Sequence, residues 1–178
     1  IKTWDAKAYY GPTATTYFPA DPAKPYALEV MDPGCKFCKK LFENIKASGF
    51  EKTHNLSYLL YPIPLPDGTH KFPHSVLLAS YIEAVKMVPL AQNPSGVSPD
   101  WQLIERVFGQ KTDTVGWQEY FDMGATKDDV TKALRVFLKD IGYAPAQISR
   151  IEELAHSHEV AEALERQRAL VEDGLRTI

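Results

Sequence analysis

Two short apolar runs, one helix apart, constrain this chain more than any other feature. Tyr26-Ala27-Leu28-Glu29-Val30-Met31 reads as a buried strand that Asp32-Pro33-Gly34 stops. Leu56-Ser57-Tyr58-Leu59-Leu60-Tyr61 reads as a second strand, closed by Pro62, Pro64, Pro66 and Asp67-Gly68. Between them, the apolar positions 37, 38, 41, 42 and 45 follow helical spacing, and Gly49 supplies a stop. Strand, helix and strand in that order suit a parallel βαβ crossover. Ahead of it, Thr15-Thr16-Tyr17-Phe18 is read as a short first strand, with Pro19, Pro22 and Pro25 punctuating a turn.

From residue 74 the periodicity turns helical and stays so. His74 to Leu90 is one apolar-rich segment. Ser98-Pro99-Asp100 caps a second helix that runs to Phe108, before Gly109. Thr126 and Asp129 cap a third, on which Val130, Leu134, Phe137, Leu138 and Ile141 share a face. Ile148 to Ala155 reads as a short fourth, and Ser157 opens the last, which carries Val160, Leu164, Leu170 and Val171 before Gly174. The fold class that follows is α/β, a small parallel sheet joined to a large all-helical block. At 178 residues the chain suits one well-filled domain. A net charge of −3 gives no broad basic field, which argues against nucleic acid as the main partner. No apolar run approaches the ~20 residues a membrane-spanning helix needs, so no stable membrane insertion is expected. The opening Ile1-Lys2-Thr3-Trp4-Asp5 lacks the charged and apolar regions of a secretory leader, so the chain is either cytosolic or has had its leader removed.

The chain has two cysteines, Cys35 and Cys38, three positions apart. A disulfide framework would spread its cysteines to close larger loops, and a four-ligand zinc ribbon would need a second pair. Disulfide exchange needs a thiolate, and a helix N-terminus favours one through its unpaired N–H groups and macrodipole. Cys35 falls where the strand has ended and the helix begins. Cys38 lies about one turn later, on the buried side, where it can resolve a mixed disulfide. Lys36, Lys39 and Lys40 add positive charge nearby. The competing reading is part of a metal site, completed by a histidine among His54, His70, His74, His156 and His158. None of those shows the short spacing of a zinc finger.

Glu29 is an acid in the middle of an apolar strand, six positions before Cys35. Strand alternation places Ala27, Glu29 and Met31 on one side. Buried there, the carboxyl would hold its proton more tightly and could accept the proton of Cys38 during exchange. The alternative is a solvated acid on an exposed strand face. The aromatic residues Trp4, Trp101, Trp117, Tyr120 and Phe121 are read as core, with a client-binding face as the alternative. Lys39-Lys40 is read as the solvated face of its helix, and Asp128-Asp129 as a helix N-terminal charge pair.

The stretch from Ala27 to Leu41, with its Cys35-Lys36-Phe37-Cys38 motif, resembles the active-site segment of the bacterial Dsb thiol-disulfide oxidoreductases. That family has an acid six residues before its first cysteine, as here. The resemblance implies a thioredoxin-like fold with a large all-helical insertion. Residues 1–68 and 156–178 would form the thioredoxin-like part, and residues 69–155 the insertion. The segment from Ser157 through Gly174 resembles the helix before the family's second active-site loop. A cis-proline loop and the last two strands would follow residue 178. By the same resemblance Cys35 is the nucleophile, Cys38 the resolving thiol and Glu29 the buried proton acceptor. It also implies cysteine-containing client proteins, a redox partner that recycles the pair, and an extracytoplasmic location with the leader removed. No organic cofactor is implied, because the electrons travel in the cysteine pair. Lys36-Phe37 stands where the family's oxidases often have Pro-His, which removes one source of thiolate stabilisation. An oxidase, an isomerase or a reductase all fit the motif. A metal-handling module using the cysteine pair and a redox-dead interaction domain are the alternatives from other classes.

Overall fold

In the computed structural model, which describes residues 15–175, the opening is the expected parallel crossover. Strand β1 spans Tyr26–Met31, helix α1 Lys36–Ser48, a single turn α2 Phe50–Thr53, and strand β2 Asn55–Leu60. The strands pair in parallel from Tyr26 opposite Asn55 to Met31 opposite Leu60. All six residues of β2 are buried, whereas Tyr26 and Val30 of β1 stay exposed. The difference follows from their neighbours. The Tyr17 N–H donates to Leu56 O on one flank of β2, and the Leu60 N–H donates to the Gln167 side chain at its end. Among the described residues β1 pairs with β2 alone.

Residues 15–18 do not form the expected first strand. Their hydrogen bonds diverge: the Thr16 hydroxyl turns to Phe18 O, and Tyr17 O accepts from the Ser98 N–H. The Tyr17 ring is instead packed among Phe18, Phe42 and Trp101, its hydroxyl bonded to Glu105 and Lys46. Trp4 lies outside the described residues.

The helical block follows as α3 (Ser75–Val85), α4 (Pro99–Val107), α5 (Trp117–Asp122), α6 (Lys127–Ile141), α7 (Pro145–Ala155) and α8 (His158–Ala169), with a π-helical turn at Leu170–Leu175. Helix α3 ends before Leu90 because the N–H groups of Lys86, Met87 and Val88 tighten onto carbonyls three residues back. Pro89, with no N–H, cannot continue the ladder. Helix α7 begins three residues earlier than its apolar pattern suggests, with Pro145 in the first helical turn. Thr126 and Asp129 form the expected reciprocal cap of α6, and the Ser157 hydroxyl accepts from the Val160 N–H at the start of α8. Ser98 departs from expectation: its hydroxyl donates to the Asp100 carboxylate and does not cap α4.

Trp101, Leu103 and Ile104 of α4, Tyr81 and Ile82 of α3, and Leu134 and Leu138 of α6 are fully buried. Helix α1 joins this core through Phe42, stacked on Trp101 at 5.7 Å between ring centroids. Elsewhere on its apolar stripe Phe37 and Leu41 are 71% and 49% exposed, while Cys38 and Ile45 pack partly buried against the core. A buried amide bridge fixes α8 to both layers: Gln167 accepts from the Leu60 N–H and donates to Glu83 of α3, which also takes Lys86.

The two faces of α1 should therefore respond differently to truncation. Phe42→Ala is expected to cost about 3–5 kcal/mol, the usual loss for a buried phenylalanine, and Leu41→Ala well under half of that. Urea unfolding of both variants measures the contrast, and equal losses would contradict this packing.

Candidate active site

Strand β1 ends at Met31, and the chain turns through Asp32, Pro33 and Gly34 into α1. All three turn residues are buried. The Asp32 carboxylate accepts from the Gly34 N–H at 2.8 Å, an Asx turn that bends the chain away from the strand. It also accepts from the Ile63 N–H at 2.8 Å and from the Ser75 hydroxyl. One side chain thus holds the turn, the segment after β2 and the start of α3. A side chain at Gly34 would meet Phe72 Cβ and Ser75 Oγ at 2.7 Å, so α3 and the loop before it lie directly on the turn.

Cys35 is the N-cap of α1, with φ −84° and ψ 120°. Its N–H donates to Asp32 O, and its carbonyl accepts the first helical bond from Lys39 at 3.1 Å. No side chain caps this helix and no acid stands in its first turn. The unpaired N–H groups of that turn therefore present their positive ends at the cysteine pair. From the helical block, the Gln118 carboxamide donates to Pro33 O at 2.7 Å and to Cys35 O at 3.2 Å.

Sequence reasoning placed Cys38 on the buried side; the order of burial is the reverse. Cys35 is 6% exposed and Cys38 is half-buried. The reason is the helical block, which covers the turn and Cys35, while Cys38 faces β1. Burial pushes the Cys38 thiol up to about 12; charge and a hydrogen bond at Cys35, and charge at Glu29, act in the same direction. A hydrogen bond from the Asp32 main chain opposes them. The Cys38 thiol thus lies within electrostatic reach of both Cys35 and Glu29.

Glu29 is 6% exposed, which removes the solvated-face alternative. Neither carboxylate oxygen has a hydrogen-bond partner, and burial raises its pKa to about 7. It lines a cavity of about 600 Å³ together with Val30, Leu41, Ile45 and Phe50. The apolar stripe of α1 that the core leaves open forms part of this wall.

Lys36 and Lys40 are exposed, and Lys40 pairs with Glu43 at 3.6 Å. Lys39 differs: its ammonium lies beside Gly116, so it reaches the helical block and is more than a solvated charge. Trp101 and Phe121 are core, Trp117 and Tyr120 pack partly buried against it, and Asp128 and Asp129 occupy the first turn of α6. The histidines are dispersed. His54 stacks on Phe50, His74 bonds Ala125 O, His156 meets Tyr81 edge-on, and His158 pairs with Glu162. Among the described residues no three His, Cys, Asp or Glu side chains are grouped to hold a metal ion. Asp32, Ser75 and Gln118 were not singled out from sequence. The Asp-Pro-Gly run carried a signal for the first as an Asx turn; nothing local marks the other two.

No family model and no curated protein matches this chain. Among solved structures it is similar to the thiol-disulfide exchange protein alpha-DsbA2 from Wolbachia pipientis. The two are 17% identical, with a TM-score of 0.53 over 92% of this chain and 72% of that one. The fold is therefore thioredoxin-like with a helical insertion, as the sequence led us to expect.

Glu29 ties stability to pH. Its carboxyl has an ordinary value of 4.5 and stands at about 7 when folded, so between those values the folded chain holds a proton that the unfolded chain has lost. Stability is greatest below pH 4.5 for this group and falls as pH rises through 7, by an amount of order 3 kcal/mol. Glu29→Gln should flatten that window and make the protein more stable than the parent above pH 7. Chemical denaturation at several pH values checks it; a parallel profile for the two proteins would refute it.

Proposed function

We propose that this chain is a thiol-disulfide oxidoreductase, exchanging a Cys35–Cys38 disulfide with cysteines of client proteins. The observation that carries the reading is a pair of thiols at the uncapped start of α1, directly after a strand that buries Glu29 within electrostatic reach of Cys38. The resemblance to a solved exchange protein is consistent with it.

In the oxidising direction, a client thiolate attacks the Cys35 sulfur. The Cys35–Cys38 bond breaks, and Cys38 departs with the electron pair. A thiol pushed up to about 12 is a poor thiolate at neutral pH, so Cys38 needs a proton as it leaves. Glu29, at about 7, holds one about half the time there and can deliver it. A second client thiolate then attacks the client sulfur of the mixed disulfide and releases Cys35. Two client thiols are oxidised, and the Cys35–Cys38 pair is reduced. Run backwards, Glu29 is the base that removes the proton from Cys38. Roles follow as Cys35 nucleophile, Cys38 resolving thiol and Glu29 proton carrier.

On this reading residues 69–155 are the insertion, and residues 1–68 with 156–178 belong to the thioredoxin-like part. The protein works outside the cytoplasm, and a redox partner protein restores its cysteine pair. The potential of the pair decides whether it donates disulfides or is kept reduced for isomerisation or reduction.

Cys35→Ser should abolish exchange with a reduced peptide, and Cys38→Ser should accumulate mixed disulfides visible on non-reducing gels. Turnover retained by Cys35→Ser would remove the assignment. Glu29→Gln should slow exchange about a hundredfold or more, within the range general acid–base catalysis contributes.

A further inference from the structure

Gln118 stands in an arrangement that packing does not explain. It is buried in α5, and both hydrogens of its amide nitrogen go to carbonyls of the active-site turn, Pro33 O and Cys35 O. Its own carbonyl oxygen is buried with no partner. An orphaned buried acceptor costs about 1–3 kcal/mol, and an apolar side chain of similar shape would avoid that cost. The amide cannot flip to relieve it, because both neighbours are acceptors. Such an imbalance in a native structure calls for a reason beyond stability.

The reason lies in what the two carbonyls would otherwise do. Both are negative dipole ends within the turn that carries Cys35, and Gln118 supplies their positive counterpart. Cys35 O is already shared with the Lys39 N–H, so Gln118 is the second donor on the N-cap carbonyl. Together these bonds hold Cys35 where the unpaired N–H groups of α1 act on it. Without the amide, Pro33 O loses its donor and the potential at the cysteine pair becomes more negative. That disfavours thiolate, and hence the reduced form, relative to the disulfide.

We propose that Gln118 is a positioning residue for disulfide exchange, by which the helical block sets the oxidising strength of the Cys35–Cys38 pair. The inference rests on the exchange reading above and names a control on that site. It differs from the Asp32 network, which fixes the turn through its N–H groups and the Ser75 hydroxyl; Gln118 acts on the carbonyls.

The test compares the parent, Gln118→Met and Gln118→Glu by equilibration in glutathione buffers, with thiol alkylation as readout. Gln118→Met keeps the shape and deletes the donors. The disulfide form should gain about tenfold over the reduced form, equivalent to ~30 mV for two electrons. Gln118→Glu sets a carboxylate against the two carbonyls, so its shift should be larger at neutral pH. As that carboxyl gains a proton on acidification it regains one donor, and the shift should shrink; the parent should show no matching change. Circular dichroism confirms that each variant is folded, and if the Met variant unfolds, the pH dependence of the Glu variant decides alone. A parent-like potential in a folded Met variant, or a Glu variant whose offset from the parent does not vary with pH, would overturn the proposal. If the parent pair itself never cycles, the exchange reading fails first, which is a distinct result.

Discussion

The Asp32 carboxylate is the interaction on which the rest of the site depends. Three donors from three parts of the chain converge on it: the Gly34 N–H in the turn, the Ile63 N–H beyond β2, and the Ser75 hydroxyl at the head of α3. Its main chain also takes the Cys35 N–H at 3.0 Å. A 2% exposed carboxylate would be costly without partners, and here its neighbours supply charge-assisted hydrogen bonds. The Cys-x-x-Cys turn is therefore no free loop on a sheet. It is built jointly by the parallel crossover and the helical block, so its geometry is inherited from both.

Two other buried carboxylates are handled the same way. Asp100 accepts from Thr15, Tyr58 and Ser98, and Glu83 accepts from Lys86 and Gln167. Glu29 differs, with both oxygens bare and desolvation the sole cause of its raised pKa. Gln118, bonded to the turn before α1, leaves an orphan as well. Near the two thiols, the fold that satisfies Asp32, Asp100 and Glu83 leaves Glu29 and the Gln118 carbonyl unpaired. Proton exchange requires a group whose two forms differ little in energy, and full hydrogen bonding of the carboxylate would remove that balance.

Much of this was legible in the residues. Both strands, the parallel crossover, the helix start at Cys35, the Gly49 stop and the Thr126 cap all follow from local signals, because each is decided within a few residues of itself. Glu29 was legible for the same reason: an acid at an inward strand position reads as an anomaly. Residues 15–18 were misread because propensity suggested a strand, whereas hydrogen bonds to Leu56 and from Ser98, distant in sequence, fixed an irregular path. The burial of Cys35 and the clamp from Gln118 were not legible at all. Both depend on how a helical block 80 residues downstream lies over the turn, as the separations of 83 and 85 residues in those bonds show.

The three-residue spacing of the cysteines then makes the two sulfurs unequal. Cys35 sits at the mouth of α1, where unpaired N–H groups favour negative charge. Cys38 lies about one turn inside, against β1, where burial, its neighbour's charge and Glu29 all oppose a second negative charge. A charge on Cys35 therefore makes the Cys38 proton harder to remove. On the exchange reading proposed above, Glu29, with its pKa of about 7, takes or returns the Cys38 proton near neutrality. Directionality within the motif is thus a consequence of where a helix begins relative to a strand, before any difference in side-chain chemistry between Lys36 and Phe37 is considered.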